Sequence, residues 1–219
     1  MVSKKLIYYR GPKAEFELIF KKLSEQYPDA HCALDFETPF QLLIATILSA
    51  QCTDERVNIV TKLLFKKYPD ALAMSQASIA DLEKIIHSTG FFRNKAKNIK
   101  NCCEKLVDQY EGLVPQDLEL LHALPGVGRK TANVVLGNAF GIASGVVVDT
   151  HVTRLSQRFG WVKISDAVKI EQVLNEKFPK SSWIILSHYL IAHGRAVCKA
   201  RQPACETCFL LKACPRQGL

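Results

Sequence analysis

The sequence of 219 residues lacks several features that mark large classes of proteins. No apolar run reaches the roughly 18 residues that a membrane-spanning helix needs, so no transmembrane segment is expected. The first residues, MVSKKLIYYRGPK, are basic but contain no long apolar core and no small-residue cleavage site, so no secretory signal is expected. Internal repeats, low-complexity segments and a flexible linker are also missing. We therefore expect a protein of a reducing cytoplasm, of the bacterial type.

Charge and cysteine content narrow the possible partners. The chain has 29 Lys and Arg against 21 Asp and Glu, a formal charge of +8. This balance favours a polyanionic partner, and nucleic acid is the commonest one, although many basic proteins bind nothing acidic. The eight cysteines are expected to be free thiols or metal ligands, because disulfides are rare in a reducing compartment.

Apolar residues recur at helical spacing through most of the chain. The pair Thr38-Pro39 predicts one helix start, and Ser78 with Asp81 predicts a capping box at another. The one strand-like run, Val146–Val148, is short and leads to Thr150, which can cap the following helix. The sequence therefore predicts an all-α fold, with later helices at about 117–123, 129–140, 150–159, 166–178 and 182–193.

The string Leu124-Pro125-Gly126-Val127-Gly128-Arg129-Lys130-Thr131 places two glycines between two predicted helices. Glycine lets the backbone turn sharply and lets a ligand approach closely. The N–H groups at the start of the second helix can then bind an anion such as a DNA phosphate. A bare GxG would indicate an ordinary turn. The full string predicts a helix-hairpin-helix motif in which Gly126, Gly128 and Arg129 contact the DNA backbone.

Lys130 and Asp149 are the candidate reactive pair. Lys130 falls in the first turn of the second hairpin helix, and Asp149 ends the apolar run. Burial against DNA and a helix N-terminus would favour a neutral amine, which can attack the sugar C1′. A carboxylate can stabilise positive charge on the sugar or move protons. From the residues alone, a phosphate contact for Lys130 and a helix cap for Asp149 are favoured.

The C-terminal segment contains four closely spaced cysteines: Cys198, Cys205, Cys208 and Cys214. Four thiolates can hold one metal centre. A zinc ribbon usually has two C-x2-C pairs and this segment has one, while four cysteines also suit a [4Fe–4S] cluster. The ligand chemistry leaves zinc and iron–sulfur open. The intervening loop carries Lys199 and Arg201, which are either phosphate contacts or part of a solvated basic loop.

The strings LPGVGRKTANVV and VDTHV, together with the cysteine spacing, resemble the endonuclease III family of DNA glycosylase/apurinic-site lyases. The resemblance extends over nearly the whole chain, although Gly141–Gly145 is slightly longer than the family pattern. It implies base excision repair of oxidised pyrimidines and cleavage of the abasic strand by β-elimination. It also implies a Schiff base on Lys130 with Asp149 as its catalytic partner. The four cysteines would hold a [4Fe–4S] cluster, structural for the Lys199 and Arg201 loop.

The resemblance also implies residues that fill the duplex when a base is flipped out. Gln51, in SAQCTD, matches a glutamine that enters the vacated space. Phe91, in GFFRNKA, takes a wedge position where an aliphatic residue is expected, and a core aromatic is its alternative. His151 is expected to touch DNA or the aspartate. Asp54 has an open role, with a helix N-cap as its alternative. Packing is favoured for His188 and His193 over a role as metal ligands.

Two helical domains flanking a DNA-binding cleft follow from the resemblance. A six-helix domain at 32–142 would carry the hairpin, and 1–31 with 143–219 would carry the cluster. The implied partner is double-stranded DNA with damaged pyrimidines or abasic sites, bound by a monomer. One alternative is the adenine glycosylase that acts opposite oxidised guanine, which lacks the lysine and has an extra C-terminal domain. The other is a non-catalytic DNA-binding module, which would leave Lys130 and Asp149 unexplained.

Overall fold

The computed structural model describes residues 13–219, and that range contains helices and no strand, which confirms the all-α prediction. The chain divides into two compact units. One is Cys32–Ser144, and the other joins the N-terminal segment up to His31 with Gly145–Leu219. None of the helices within residues 13–219 has the length and apolar character that a bilayer span requires.

The unit Cys32–Ser144 is organised around a buried helix. Eight of the ten residues of α2 are buried, so neighbouring helices must cover all its sides. Helix α8 packs on α2 and α7, and α6 packs on α2, α4 and α5. The helices are α2 (Pro39–Leu48), α3 (Asp54–Lys67), α4 (Ala71–Ser75), α5 (Ile79–Ile86), α6 (Phe92–Tyr110), α7 (Leu118–His122) and α8 (Arg129–Phe140), with a 3₁₀ turn at His87–Thr89.

The predicted helix starts in this unit are partly confirmed. An N-cap at Asp54 is wrong, because Asp54 is the first residue of α3 and Thr53 caps that helix by accepting from the Arg56 N–H at 3.3 Å. Thr38 Oγ1 accepts a hydrogen bond from the Gln41 N–H at 3.2 Å, as expected for an N-cap before Pro39. Ser78 Oγ likewise accepts from the Asp81 N–H at 3.2 Å. The second bond of the predicted capping box, in which the Asp81 carboxylate would accept from the Ser78 N–H, is wrong. That carboxylate instead accepts from Lys67 Nζ at 2.7 Å and from the Tyr68 hydroxyl at 2.6 Å.

Helix α4 has no counterpart in the sequence-based prediction. It is only five residues long, which is too short to show a helical repeat of apolar residues. Asp70 begins it by accepting a hydrogen bond from the Ala73 N–H at 2.8 Å. Its contacts with α6 hold this short helix in the core of the unit.

The second unit contains α1 (Phe16–Gln26), α9 (Thr150–Arg158), α10 (Ala167–Lys177) and α11 (Trp183–Ala196), with a 3₁₀ turn at Lys180–Ser182. Aromatic packing attaches α1 to this distant part of the sequence. Phe16 stacks on Trp161 with ring centroids 4.6 Å apart. The fully buried Trp161 indole donates from Nε1 to the Ala14 carbonyl at 2.9 Å. The chain therefore returns to its N-terminal helix to complete one hydrophobic core.

The run Val146–Val148 belongs to neither a strand nor a helix in the described chain. The Val146 N–H donates to Asn175 Oδ1 and the Val147 N–H donates to Ser187 Oγ, both at 3.0 Å. Side chains of α10 and α11 thus satisfy backbone groups that a sheet would otherwise satisfy. The predicted cap at Thr150 is wrong, since Thr150 is the first helical residue and Asp149 is the N-cap of α9.

Candidate functional site

The hairpin between α7 and α8 contains two glycines, which differ in backbone conformation and in surroundings. Gly126 has a φ of +77°, and a Cβ built on it would lie 2.9 Å from Asn98 Cβ, so the fold itself requires glycine there. Gly128 has a φ of −86°, and a Cβ built on it would meet nothing within 4 Å. Packing within the described chain therefore does not explain Gly128, and the space beside it is open to a ligand.

Helix α8 begins without a side-chain cap on its first turn. Seven other helices of the described chain have such a cap: Thr38, Thr53, Asp70, Ser78, Asp117, Asp149 and Asp166. The first N–H groups of α8 are thus left for solvent or an external anion. Lys130 is the second residue of this helix and is exposed, and Arg129 before it is half-buried. The predicted position of Lys130 in the first turn is confirmed.

Gln51 and Phe91 share an uncommon backbone conformation. Their φ values are +53° and +47°, in the left-handed region that L-residues other than glycine rarely occupy. Both side chains are exposed, and Phe91 retains 64% of its accessible surface. The exposure of Phe91 excludes the core-aromatic alternative. Backbone strain from a left-handed conformation is often found at sites where a side chain contacts a ligand.

Lys95 joins the segments that precede these two residues, and sequence reasoning missed it. Its side chain is buried, with 5% exposure, and Nζ donates to the carbonyls of Leu48 and Thr89 at 2.9 and 2.8 Å. Burial lowers the pKa of Lys95, and the nearby Cys52 opposes this shift. The signal was present in the sequence, because Lys95 lies four residues before the buried Ile99, on the apolar face of α6.

Asp149 lies at the start of α9 in the second unit. It is half-buried, and Oδ1 accepts a hydrogen bond from the Val152 N–H at 2.8 Å. The favoured interpretation from the residues alone, a helix cap, is therefore confirmed as a geometric fact. A carboxylate has about four lone-pair sites, so one capping bond leaves it able to accept further protons or stabilise charge.

Arg154 connects the start of α9 to the cysteine segment. It donates from Nη2 to His151 Nδ1 at 3.0 Å and to the Gly194 carbonyl at 2.9 Å, and from Nε to the Cys198 carbonyl at 3.1 Å. Burial lowers the pKa of His151, and Arg154 adds to this effect while Asp149 opposes it. His151 is thus held as a neutral acceptor two residues after Asp149.

The four C-terminal cysteines line one cavity of about 350 Å³, including its open mouth. Burial raises the pKa of both Cys208 and Cys214, and the charges of neighbouring cysteines in the set raise it further. A cationic centre would offset this mutual repulsion, so the donor set fits a metal cofactor. In residues 13–219, no group of three His, Cys, Asp or Glu side chains is gathered so as to hold a single metal ion.

Arg158 is a second residue that sequence reasoning missed. The residue is 7% exposed, and its guanidinium donates to Cys198 Sγ at 3.2 Å, to the Lys199 carbonyl at 2.7 Å and to the Ala200 carbonyl at 3.1 Å. It therefore fixes the chain around the first cysteine and the start of the basic loop. Lys199 and Arg201 are both exposed on that loop.

His193 packs beside the same cavity, as predicted. Its Nδ1 lies 3.0 Å from the Tyr27 hydroxyl, and its Nε2 lies 3.7 Å from Cys208 Sγ. Burial lowers the pKa of His193 to about 4, and burial raises that of Tyr27 to about 12, so both groups are neutral near pH 7. His188 is half-buried, and desolvation lowers its pKa.

Comparison with known proteins gives consistent results. The family model described as HhH-GPD superfamily base excision DNA repair protein matches residues 44–180. Endonuclease III of Synechocystis sp. is 58% identical over 201 residues, covering 92% of this chain and 90% of that protein. Two solved structures each show 46% identity and a TM-score of 0.88, covering 91% of this chain and 94% of theirs. They are a non-covalent endonuclease III–DNA complex and a trapped endonuclease III–DNA covalent intermediate.

Proposed function

This chain belongs to the endonuclease III family within the HhH-GPD superfamily of base excision DNA repair proteins, and from that premise we propose which residues carry its chemistry. The chain is an enzyme of the DNA glycosylase/apurinic-site lyase class. Its proposed substrates are oxidised pyrimidines and abasic sites in duplex DNA. The observation that carries the proposal is the exposed Lys130 on the uncapped first turn of α8.

Lys130 is the proposed nucleophile. A phosphate bound at Gly126, Gly128 and the first N–H groups of α8 would bring the sugar of the damaged nucleotide next to its amine. The neutral Nζ attacks C1′, the C1′–N glycosidic bond breaks, and the base leaves with a proton. Opening of the sugar ring gives an imine between Nζ and C1′. Loss of a C2′ proton then breaks the C3′–O bond, which cleaves the strand by β-elimination.

Asp149 is the proposed carboxylate partner of Lys130. Positive charge develops on the sugar as the base departs, and a carboxylate held in one orientation stabilises it. Its capping bond to Val152 supplies that orientation. Arg154 also fixes α9, because it donates to the carbonyls of Gly194 and Cys198 outside that helix. The cap and the catalytic role are therefore compatible interpretations of the same side chain.

Further residues are proposed to hold the DNA. Four residues would contact the phosphate backbone of the DNA, and such contacts do not depend on the base sequence: Arg129, His151, Lys199 and Arg201. Gln51 would occupy the space left by the extruded base, and Phe91 would insert into the opposite strand. The exposure and backbone strain of Gln51 and Phe91 support these two roles.

The four cysteines are the proposed ligands of a [4Fe–4S] cluster. A single zinc ion needs its sulfur ligands drawn together at about 2.3 Å from one point, whereas a multi-iron cluster is held by thiolates spread around a larger volume. Four thiols that line one cavity, with pKa values of Cys208 and Cys214 raised by burial and by the neighbouring cysteines, support a shared cationic centre. When bound, it would supply a rigid anchor for the loop carrying Lys199 and Arg201.

Borohydride trapping tests the reaction. The protein is incubated with duplexes containing an abasic site or thymine glycol, reduced, and examined for a covalent adduct by denaturing electrophoresis. Wild type should form the adduct, and Lys130→Ala should form none. Lys62→Ala, which removes an exposed lysine of α3, should trap as wild type does. Arg129→Ala should bind DNA more weakly yet still be trapped.

The alternatives give different results in the same assay. Adenine release opposite oxidised guanine without trapping would indicate the adenine glycosylase. DNA binding with neither base release nor trapping would indicate a binding module. For the cofactor, about four iron and four sulfide per chain would support the cluster, and zinc without sulfide would overturn it.

A further inference from the structure

The two strained residues proposed to enter the duplex lie on separate segments. Gln51 follows the C-terminal end of α2, and Phe91 follows the 3₁₀ turn His87–Thr89. Both segments belong to the unit Cys32–Ser144. If each segment moved independently, both would have to become ordered when DNA binds, and the lost conformational entropy would weaken binding. A contact that fixes one to the other beforehand would reduce that loss.

Lys95 supplies such a contact. Its Nζ donates to the carbonyl of Leu48, the last residue of α2, and to the carbonyl of Thr89, the last residue of the 3₁₀ turn. These carbonyls stand three residues before Gln51 and two residues before Phe91. Final carbonyls of helices have no intrahelical partner and carry partial negative charge, so a cation is well matched to both.

The contact is shielded from water. Lys95 is 5% exposed, and it lies on the face of α6 that also buries Ala96 and Ile99. A buried polar group that loses its partners cannot replace them easily with water, so the bonds of Lys95 resist exchange. Burying a lysine here would be unfavourable without those two acceptors.

We infer that Lys95 is a positioning residue for base extrusion, because it joins the Gln51 and Phe91 segments so that both side chains enter the duplex together. This inference rests on the proposed function, in which these two residues fill the space of the extruded base. It assigns Lys95 no contact with the reacting atoms. Its loss should therefore affect extrusion more than the chemistry at Lys130.

Lys100 provides a matched control on the same helix. Its Nζ donates to the Ala77 carbonyl at 3.0 Å and to the Ser75 carbonyl, so it also joins α6 to backbone carbonyls. Those carbonyls belong to the end of α4 and the residues after it. Lys100→Met thus removes the same kind of bond from the same unit without touching either inserting segment.

The experiment compares Lys95→Met, Lys100→Met and wild type after thermal denaturation has confirmed folding. One readout is the fluorescence of 2-aminopurine placed opposite a tetrahydrofuran abasic analogue, which rises when that base is unstacked. The second is single-turnover cleavage of thymine-glycol DNA against cleavage of a preformed abasic site. Lys95→Met should give a reduced fluorescence rise, and its glycosylase rate should fall at least about tenfold more than its lyase rate, because an abasic site has no base to unstack.

A purely structural role would lower both rates together and would affect Lys100→Met similarly. Equal behaviour of the two variants would overturn the inference. If Lys95→Met does not fold, Lys95→Gln replaces it, since the neutral amide is shorter and lacks the charge of the ammonium group, and Lys100→Gln becomes its control. Wild-type trapping by borohydride is measured in parallel. Absence of wild-type trapping refutes the proposed function, whereas normal trapping with matched variants refutes the role of Lys95 alone.

Discussion

Gln51 stores backbone strain that glycine would release. Its φ of +53° lies in the left-handed region, where an L-residue loses about 1–2 kcal/mol. Glycine loses more chain entropy on folding, which offsets about 0.5–1 kcal/mol of that relief. The side chain is exposed, so its removal creates no cavity. Gln51→Gly should therefore raise the free energy of unfolding by about 0.5–1 kcal/mol, a rise of about 1–4 °C in Tm for a chain of this size.

The same substitution should reduce activity. It deletes the side chain proposed to occupy the space of the extruded base, and a loss of about 1.4 kcal/mol in transition-state stabilisation lowers kcat/KM about tenfold. Glu111→Gly is the control, because Glu111 also has a left-handed φ of +54°, is exposed, and ends α6. It should gain similar stability and keep full activity.

Calorimetry measures the change in Tm, and single-turnover cleavage of thymine-glycol DNA measures the change in activity. A lower Tm for Gln51→Gly, alongside a higher Tm for Glu111→Gly, would show that Gln51 makes stabilising contacts that outweigh its strain. Full activity in Gln51→Gly would refute the role of its side chain in filling the duplex.

Four other substitutions test the site and the fold. Gly126→Ala should lower the free energy of unfolding by about 1–2 kcal/mol or more, because the φ of Gly126 is positive. Gly128→Ala should change the free energy of unfolding by less than about 0.5 kcal/mol. It should still weaken the binding of abasic-analogue DNA, measured by fluorescence anisotropy. A destabilised Gly128→Ala with normal DNA affinity would contradict this assignment. Arg158→Met should lower the iron and sulfide bound per chain, since the hydrogen bonds around the first cysteine are lost; undiminished iron would argue against its anchoring role. Hydrogen bonds from Lys67 and Tyr68 lower the pKa of Asp81, so its stabilising contribution is present above the ordinary carboxyl range and is lost as pH falls through that lowered pKa. Urea midpoints of wild type and Asp81→Asn should differ at pH 7 and converge as the pH falls below the lowered pKa of Asp81; a constant difference would refute the pairing.

Several features could be predicted from the sequence because they depend on neighbouring residues. Turn chemistry and apolar spacing located the start of α8 and the place of Lys130 in its first turn. The same local rules identified Thr38 as a cap. They could not identify the partners of Asp81, because its carboxylate is satisfied from α3 rather than from its own helix.

The roles of charged residues in the interior required the tertiary structure. Apolar spacing indicates that Lys95 is buried, but the sequence does not show which backbone carbonyls Lys95 and Arg158 contact in other segments. Asp149 is a similar case, since only the structure distinguishes it from Thr150 as the cap of α9. The sequence by itself determined which residue types stand at the hairpin and in the cysteine segment, because spacing along the chain encodes local geometry. Tertiary folding alone decided which carbonyls, thiols and cations meet, because those contacts join residues that are about 6–50 positions apart and are selected by packing rather than by sequence proximity.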